Sequence, residues 1–109
     1  MNKKMNIAII GLGNIGSYFY EYLQKNKNIL FEKTNTIPNI IYVSARSFKK
    51  RRSIKIPKRI WLKNCLLAPK LKDIDVIVEL IGGAEGIAKK LVFDALKNKK
   101  HVVTANKAL

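Results

Sequence analysis

Gly11-Leu12-Gly13-Asn14-Ile15-Gly16 is a G-x-G-x-x-G run in a chain of 109 residues. It follows the short apolar stretch Met5 to Ile10 (MNIAII) and precedes a helical pattern. A strand before and a helix after are the context this motif needs to hold a dinucleotide. Each glycine has a job in that chemistry. Gly11 permits the tight turn, Gly13 lets the backbone approach a pyrophosphate, and Gly16 allows the helix to pack close to the strand. The helix start adds N–H groups and a positive dipole end for the phosphates. The alternative is a glycine-rich turn with no ligand.

The end of the second predicted strand bears on which dinucleotide is held. An NAD site usually places Asp or Glu there, on the ribose 2′-OH. Here the sequence is Ser44-Ala45-Arg46-Ser47, with no acid between Glu32 and Asp73. Arg46 offers a planar fork for a 2′-phosphate. Lys49, Lys50, Arg51 and Arg52 follow, either as further cations for it or as a solvated basic loop. NADP is therefore favoured, with NAD as the alternative. Gly82 and Gly83 after the third strand are expected to pass beneath the nicotinamide half. Thr104, Asn106 and Lys107 put a hydroxyl, an amide and an ammonium at the same rim; Thr104 and Asn106 can equally cap a following helix. Glu79 interrupts an apolar strand and is expected to be a buried polar residue with its partners satisfied, rather than a catalyst. His101 is expected at the surface or sheet edge. Cys65 has no activating partner in view and is expected to be inert. No metal site is expected.

These residues need a scaffold, and the hydrophobic pattern supplies one. Strands are predicted at Met5 to Ile10, Ile40 to Ala45, Asp75 to Ile81 and His101 to Thr104. Ile15, Tyr18, Phe19, Tyr22 and Leu23 recur at helical spacing, predicting a helix over about 14–25 with that face buried. Ala84, Ile87, Ala88, Leu91, Val92, Ala95 and Leu96 predict a second. Residues 26–39 read as a loop, and a short strand or turn is expected near Ile60 to Leu62. Apolar strands alternating with helices imply an α/β fold: a Rossmann-like, doubly wound parallel sheet. Four strands are fewer than the roughly six of a complete dinucleotide fold. The chain is therefore expected to be the amino-terminal part of such a domain.

Composition narrows the classes. No apolar run reaches the ~20 residues that span a bilayer, and no membrane role or signal peptide is expected. A single cysteine fits a reducing cytoplasm. The net charge is +15, and the chain holds 18 Lys, 15 Ile and 10 Asn. All three amino acids have A/T-rich codons, so part of the lysine excess is attributable to base composition. Arg46 to Lys72 nevertheless carries eleven cations and no acid, with Phe48 and Trp61 among them. Aromatics interleaved with cations can bind single strands, which leaves a basic nucleotide- or nucleic-acid-binding module as an alternative. With only two aromatics and no nucleic-acid motif there, a nucleic-acid partner is not the favoured expectation.

DVIVELIGG at 75–83, ALKNKKHVVTANKAL at 95–109 and GLGNIG at 11–16 together resemble homoserine dehydrogenase, and VSARS at 43–47 is similar to the family's second-strand segment. The resemblance spans nearly the whole chain and is weakest over 50–72. It implies reduction of aspartate β-semialdehyde to homoserine with NADPH or NADH, on the shared route to threonine and methionine. It implies that Leu12, Asn14 and Ile15 line the pyrophosphate loop, that Arg46 meets the adenosine ribose or its phosphate, and that Thr104 lies near the nicotinamide. It also implies that Lys107 sits beside nicotinamide and substrate, where its ammonium would orient substrate or offset charge on the aldehyde oxygen, or would touch cofactor alone. The family's substrate-binding and dimerisation domain, with its main catalytic residues, has no counterpart in these residues. A fragment without turnover is expected, from a full-length homodimer of the stand-alone type rather than a kinase fusion. A dehydrogenase of another substrate is a further alternative.

Overall fold

Ile7, Ala8, Ile9 and Ile10 form a run without a polar residue. A strand buries such a run only when both of its faces are covered. The computed structural model, which describes residues 3–45, 54–81 and 86–105, covers both. Strand β1 (Lys3–Ile10) is flanked by β2 (Thr36–Ser44) and β3 (Val76–Glu79), and β4 (His101–Thr104) pairs with β3. The order is β2-β1-β3-β4, every pair parallel.

Side chains of successive strand residues point to opposite faces, and the core divides accordingly. Ile7 and Ile9 join Leu12, Tyr20, Leu23, Ile40 and Val43 on one face, with α1 (Asn14–Lys25) packed over it. Ala8 and Ile10 join Ile77, Ala68, Leu91 and Ala95 on the other, covered by α3 (Ile87–Lys97) and a 3-10 segment at Cys65–Lys70. The result is the three-layer, Rossmann-like α/β arrangement expected of the sequence.

Several details differ from the sequence expectation. Residues 26–39 are not a loop: α2 (Lys27–Thr34) occupies most of them, and β2 begins at Thr36. Helix α2 buries no residue fully, so it leaves no apolar stripe in the sequence. Asn35 ends it in the left-handed conformation (φ 57°), which Asn adopts more readily than most residues. Pro38 sits inside β2, tolerated because β2 is the outer strand and needs ladder bonds on one side only. The short strand expected near Ile60 to Leu62 is a single bridge, Trp61 to Val43, with Leu62 N–H donating to the Val43 carbonyl at 2.8 Å.

The buried face of α1 is also rotated. Gly16, Tyr20 and Leu23 are buried, while Ile15 and Tyr18 are 67% and 72% exposed. Tyr22 is exposed too, its ring 6.3 Å from that of Tyr18 on the outer surface. The helix packs through its glycine, and residues four and seven positions on follow the same face. In α3 the buried stripe is Ala88, Leu91, Val92 and Ala95; Ile87 and Leu96 fall on its flanks and are exposed.

Candidate functional site

The turn after β1 is fastened on both sides. Gly11 N–H donates to the Ser44 carbonyl at the end of β2, and Leu80 N–H, beyond β3, donates to the Ile10 carbonyl, both at 2.8 Å. Gly11 has φ +111°, and a Cβ there would lie 2.8 Å from the carbonyl carbon and oxygen of Leu80. A Cβ on Gly16 would overlap the carbonyl oxygen of Gly11. The chain's own backbone thus demands glycine at both positions.

Gly13 differs. Its backbone is extended (φ −77°, ψ −157°), a conformation open to any residue, and no described atom lies within 4 Å of where a Cβ would be. Nothing in the described protein requires glycine there. Gly13 is also the N-cap of α1, which has no side-chain cap and no acid in its first turn. The first helical bond runs from Ser17 N–H to the Gly13 carbonyl. The helix therefore presents N–H groups and a positive dipole end beside an open glycine. Asn14 and Ile15 flank this opening, exposed, whereas the Leu12 side chain is buried in the core and leaves only its backbone to the loop.

The covering helices lie on opposite faces either side of the β1–β3 boundary, which makes it a switch point. Open α/β sheets bind ligands outside the carboxyl ends of the strands at such points, and the glycine turn stands there. The other rim of that crevice is made by β3 and β4. Glu79 is fully buried at the end of β3. One carboxylate oxygen accepts the Ile81 N–H at 2.6 Å, and the other accepts the Thr104 hydroxyl at 2.5 Å. Glu79 is the buried, partnered polar residue expected from the sequence; nothing in the sequence names Thr104 as a partner, and the one signal is an acid inside an apolar strand. Thr104 itself is exposed.

Gly11 to Gly16 and Thr104 thus lie at the carboxyl ends of the strands. Arg46, Lys49, Lys50, Arg51, Arg52, Gly82, Gly83, Asn106 and Lys107 lie outside the described residues. His101 opens β4 at the sheet edge and is exposed, as expected. Cys65 is half-buried beside α3, and burial pushes its thiol above the ordinary value, opposed by a backbone hydrogen bond. Among the described residues no group of three or more His, Cys, Asp or Glu is placed to hold a metal, and no helix is long and apolar enough to cross a membrane.

Residues 11–109 match the family model described as the NAD binding domain of homoserine dehydrogenase. The chain belongs to the homoserine dehydrogenase family. It is a nicotinamide-dinucleotide-binding segment of that family, and the geometry around Gly13 fits such a ligand. The homoserine dehydrogenase of Bacillus subtilis is 35% identical over 107 residues, covering 98% of this chain and 24% of the relative. That of Neisseria gonorrhoeae is 37% identical, with the same two coverages. A crystal structure of the S. aureus homoserine dehydrogenase at pH 6.5 superposes with a TM-score of 0.89 at 34% identity, covering 100% of this chain and 27% of the other. The chain spans about a quarter of the length of the curated homoserine dehydrogenases it matches.

Proposed function

We propose that these residues are the amino-terminal, NADP-holding part of a homoserine dehydrogenase, an oxidoreductase that reduces aspartate β-semialdehyde to homoserine. The observation that carries the proposal is Gly13: an open glycine on an uncapped helix start, at a sheet switch point, between two glycines that the backbone itself requires. A pyrophosphate fits that opening, taking the N–H groups of the first turn through Gly13, Asn14 and Ile15. When bound, the cofactor supplies the hydride.

The chain's own residues do the rest. Arg46, two residues past the end of β2, pairs with the 2′-phosphate and so favours NADP over NAD. Gly82 and Gly83 give the nicotinamide half a close backbone. Thr104 faces that half, and Lys107 orients the substrate or offsets charge gathering on its carbonyl oxygen. The substrate and dimer contacts are assigned to the part of the full-length enzyme that these 109 residues do not span, a cytoplasmic homodimer. The family assignment supports this function over a nucleic-acid-binding module.

Calorimetric titration of the chain with NADPH and NADH tests the cofactor. NADPH is expected to bind tighter by roughly tenfold, the size of one charge-assisted hydrogen-bonded contact, with Arg46→Ala erasing the difference. Equal affinities, unchanged by Arg46→Ala, would remove NADP. The 109 residues alone are expected to show no homoserine-dependent NADP reduction, and measurable turnover would refute the division of labour.

A further inference from the structure

We propose that Ser44 is a specificity-determining residue of the cofactor site: its buried hydroxyl, unpartnered among the described residues, hydrogen-bonds the 2′ substituent of the adenosine ribose and, being neutral, admits a phosphate there. The inference rests on the cofactor function proposed above and concerns which residue besides Arg46 reads that substituent.

Among the described residues two polar or charged ones are buried, Glu79 and Ser44. Both stand on the last rung of the sheet, where Ile10 of β1 is level with Ser44 on one side and with Glu79 on the other. Glu79 is held by neighbours in the chain. The Ser44 carbonyl accepts the Gly11 N–H at 2.8 Å, but among the described residues no donor or acceptor meets its hydroxyl. Ser44 is only 4% exposed, so bulk water does not solvate that hydroxyl. Buried polar groups are nearly always bonded, because leaving one unpaired is costly. A single ligand oxygen arriving at the rim would satisfy it.

The position of Ser44 says which ligand atom that is. Ser44 is level with Ile10, so its side chain shares the face of Ile10, away from the face that α1 covers. It ends β2 and is tied directly to the first glycine of the turn. The end of β2 is where this kind of sheet reads the adenosine ribose, usually with an acid. A carboxylate there accepts the 2′-OH proton but repels a 2′-phosphate. A serine hydroxyl both donates and accepts, so it bonds either substituent. Its bond to a phosphate is charge-assisted and therefore the stronger of the two. Arg46 then supplies the positive charge, and Ser44 supplies a directed bond without a repelling one.

The test titrates the 109-residue chain and its variants with NADPH and NADH. Ser44→Ala is expected to weaken NADPH by roughly tenfold and NADH by roughly threefold, so that the preference for NADPH narrows about threefold. Ser44→Asp places a carboxylate against the phosphate and is expected to invert the preference in favour of NADH. Without ligand, the urea midpoint of Ser44→Ala should hold or rise, since the methyl group leaves no hydroxyl to satisfy. If Ser44→Asp does not fold, Ser44→Ala decides alone. A general loosening of the chain lowers both affinities alike, so the ratio isolates the hydroxyl. An NADPH-to-NADH ratio unchanged in Ser44→Ala overturns the inference and leaves the cofactor function standing. So does a lower midpoint with both affinities kept, which would give the hydroxyl to the fold. A folded wild-type chain that binds neither dinucleotide overturns the cofactor function itself.

Discussion

The glycine turn after β1 and the rim at the ends of β3 and β4 lie side by side, joined by the Leu80 N–H to Ile10 carbonyl bond, yet they hold their shape by different means. At the turn, backbone meets backbone: positions 11 and 16 leave no room for one further carbon. At the rim, a single buried carboxylate gathers a backbone N–H and a hydroxyl. Steric exclusion is steep and indifferent to charge. A hydrogen-bonded clasp is graded, because water or a similar side chain can replace part of it. The turn should therefore fail abruptly on substitution, and the rim should loosen.

Stability measurements can break that contrast, and Gly16→Ala should give the largest effect. Alanine in a helix is favoured over glycine by about 1 kcal/mol. Against that stands a methyl group overlapping the Gly11 carbonyl oxygen, with α1 unable to retreat without opening the core around Tyr20 and Leu23. Overpacking against backbone should win, with a net loss of about 3 kcal/mol in urea denaturation. A loss below about 1 kcal/mol would mean that the turn yields as the rim does. Gly11→Ala comes next. Its φ of +111° and the approach to Leu80 should cost about 2 kcal/mol. Glu79→Leu should cost less, about 1 kcal/mol: it keeps apolar volume in β3, while the Thr104 hydroxyl can turn to water. If Glu79→Leu proved as damaging as Gly16→Ala, the clasp would be as rigid as the turn and the contrast would fall.

The same contrast separates what was legible in the sequence from what was not. The glycine turn could be read directly, because its motif, its strand and its helix are contiguous: α1 spans Asn14–Lys25, matching the predicted range. The four strands were visible as apolar runs, and their alternation with helices pointed to a parallel sheet. The clasp could not be read, since Glu79 and Thr104 stand opposite each other only once β3 and β4 pair in register. An acid among apolar residues signals that partners exist, not which ones. Helix α2 was hidden because it buries no full stripe, and the start of β2 because proline is compatible with an outer strand. The buried face of α1 departs from the periodicity for a related reason. Large apolar residues outweigh a glycine in any periodicity count, whereas the packing is set by the glycine that comes closest to the next backbone.

Gly13 lies inside the turn but obeys neither rule, and Gly13→Asp should have the smallest effect on stability and a large one on binding. Its backbone is extended, its surroundings are open, and it caps α1. Aspartate is at least as good an N-cap as glycine and is favoured by the helix dipole. The denaturation midpoint should hold or rise slightly, within about 0.5 kcal/mol in stability. The new carboxylate would stand where the pyrophosphate is proposed to sit. Two like charges a few ångströms apart repel strongly near a protein surface, so NADPH affinity should fall by roughly tenfold or more. Gly13→Asn separates charge from bulk: it caps equally well, and its affinity should lie between wild type and Gly13→Asp. A Gly13→Asp chain of unchanged stability that binds NADPH like wild type would place the phosphates elsewhere, and the open glycine would then be a feature of the fold alone.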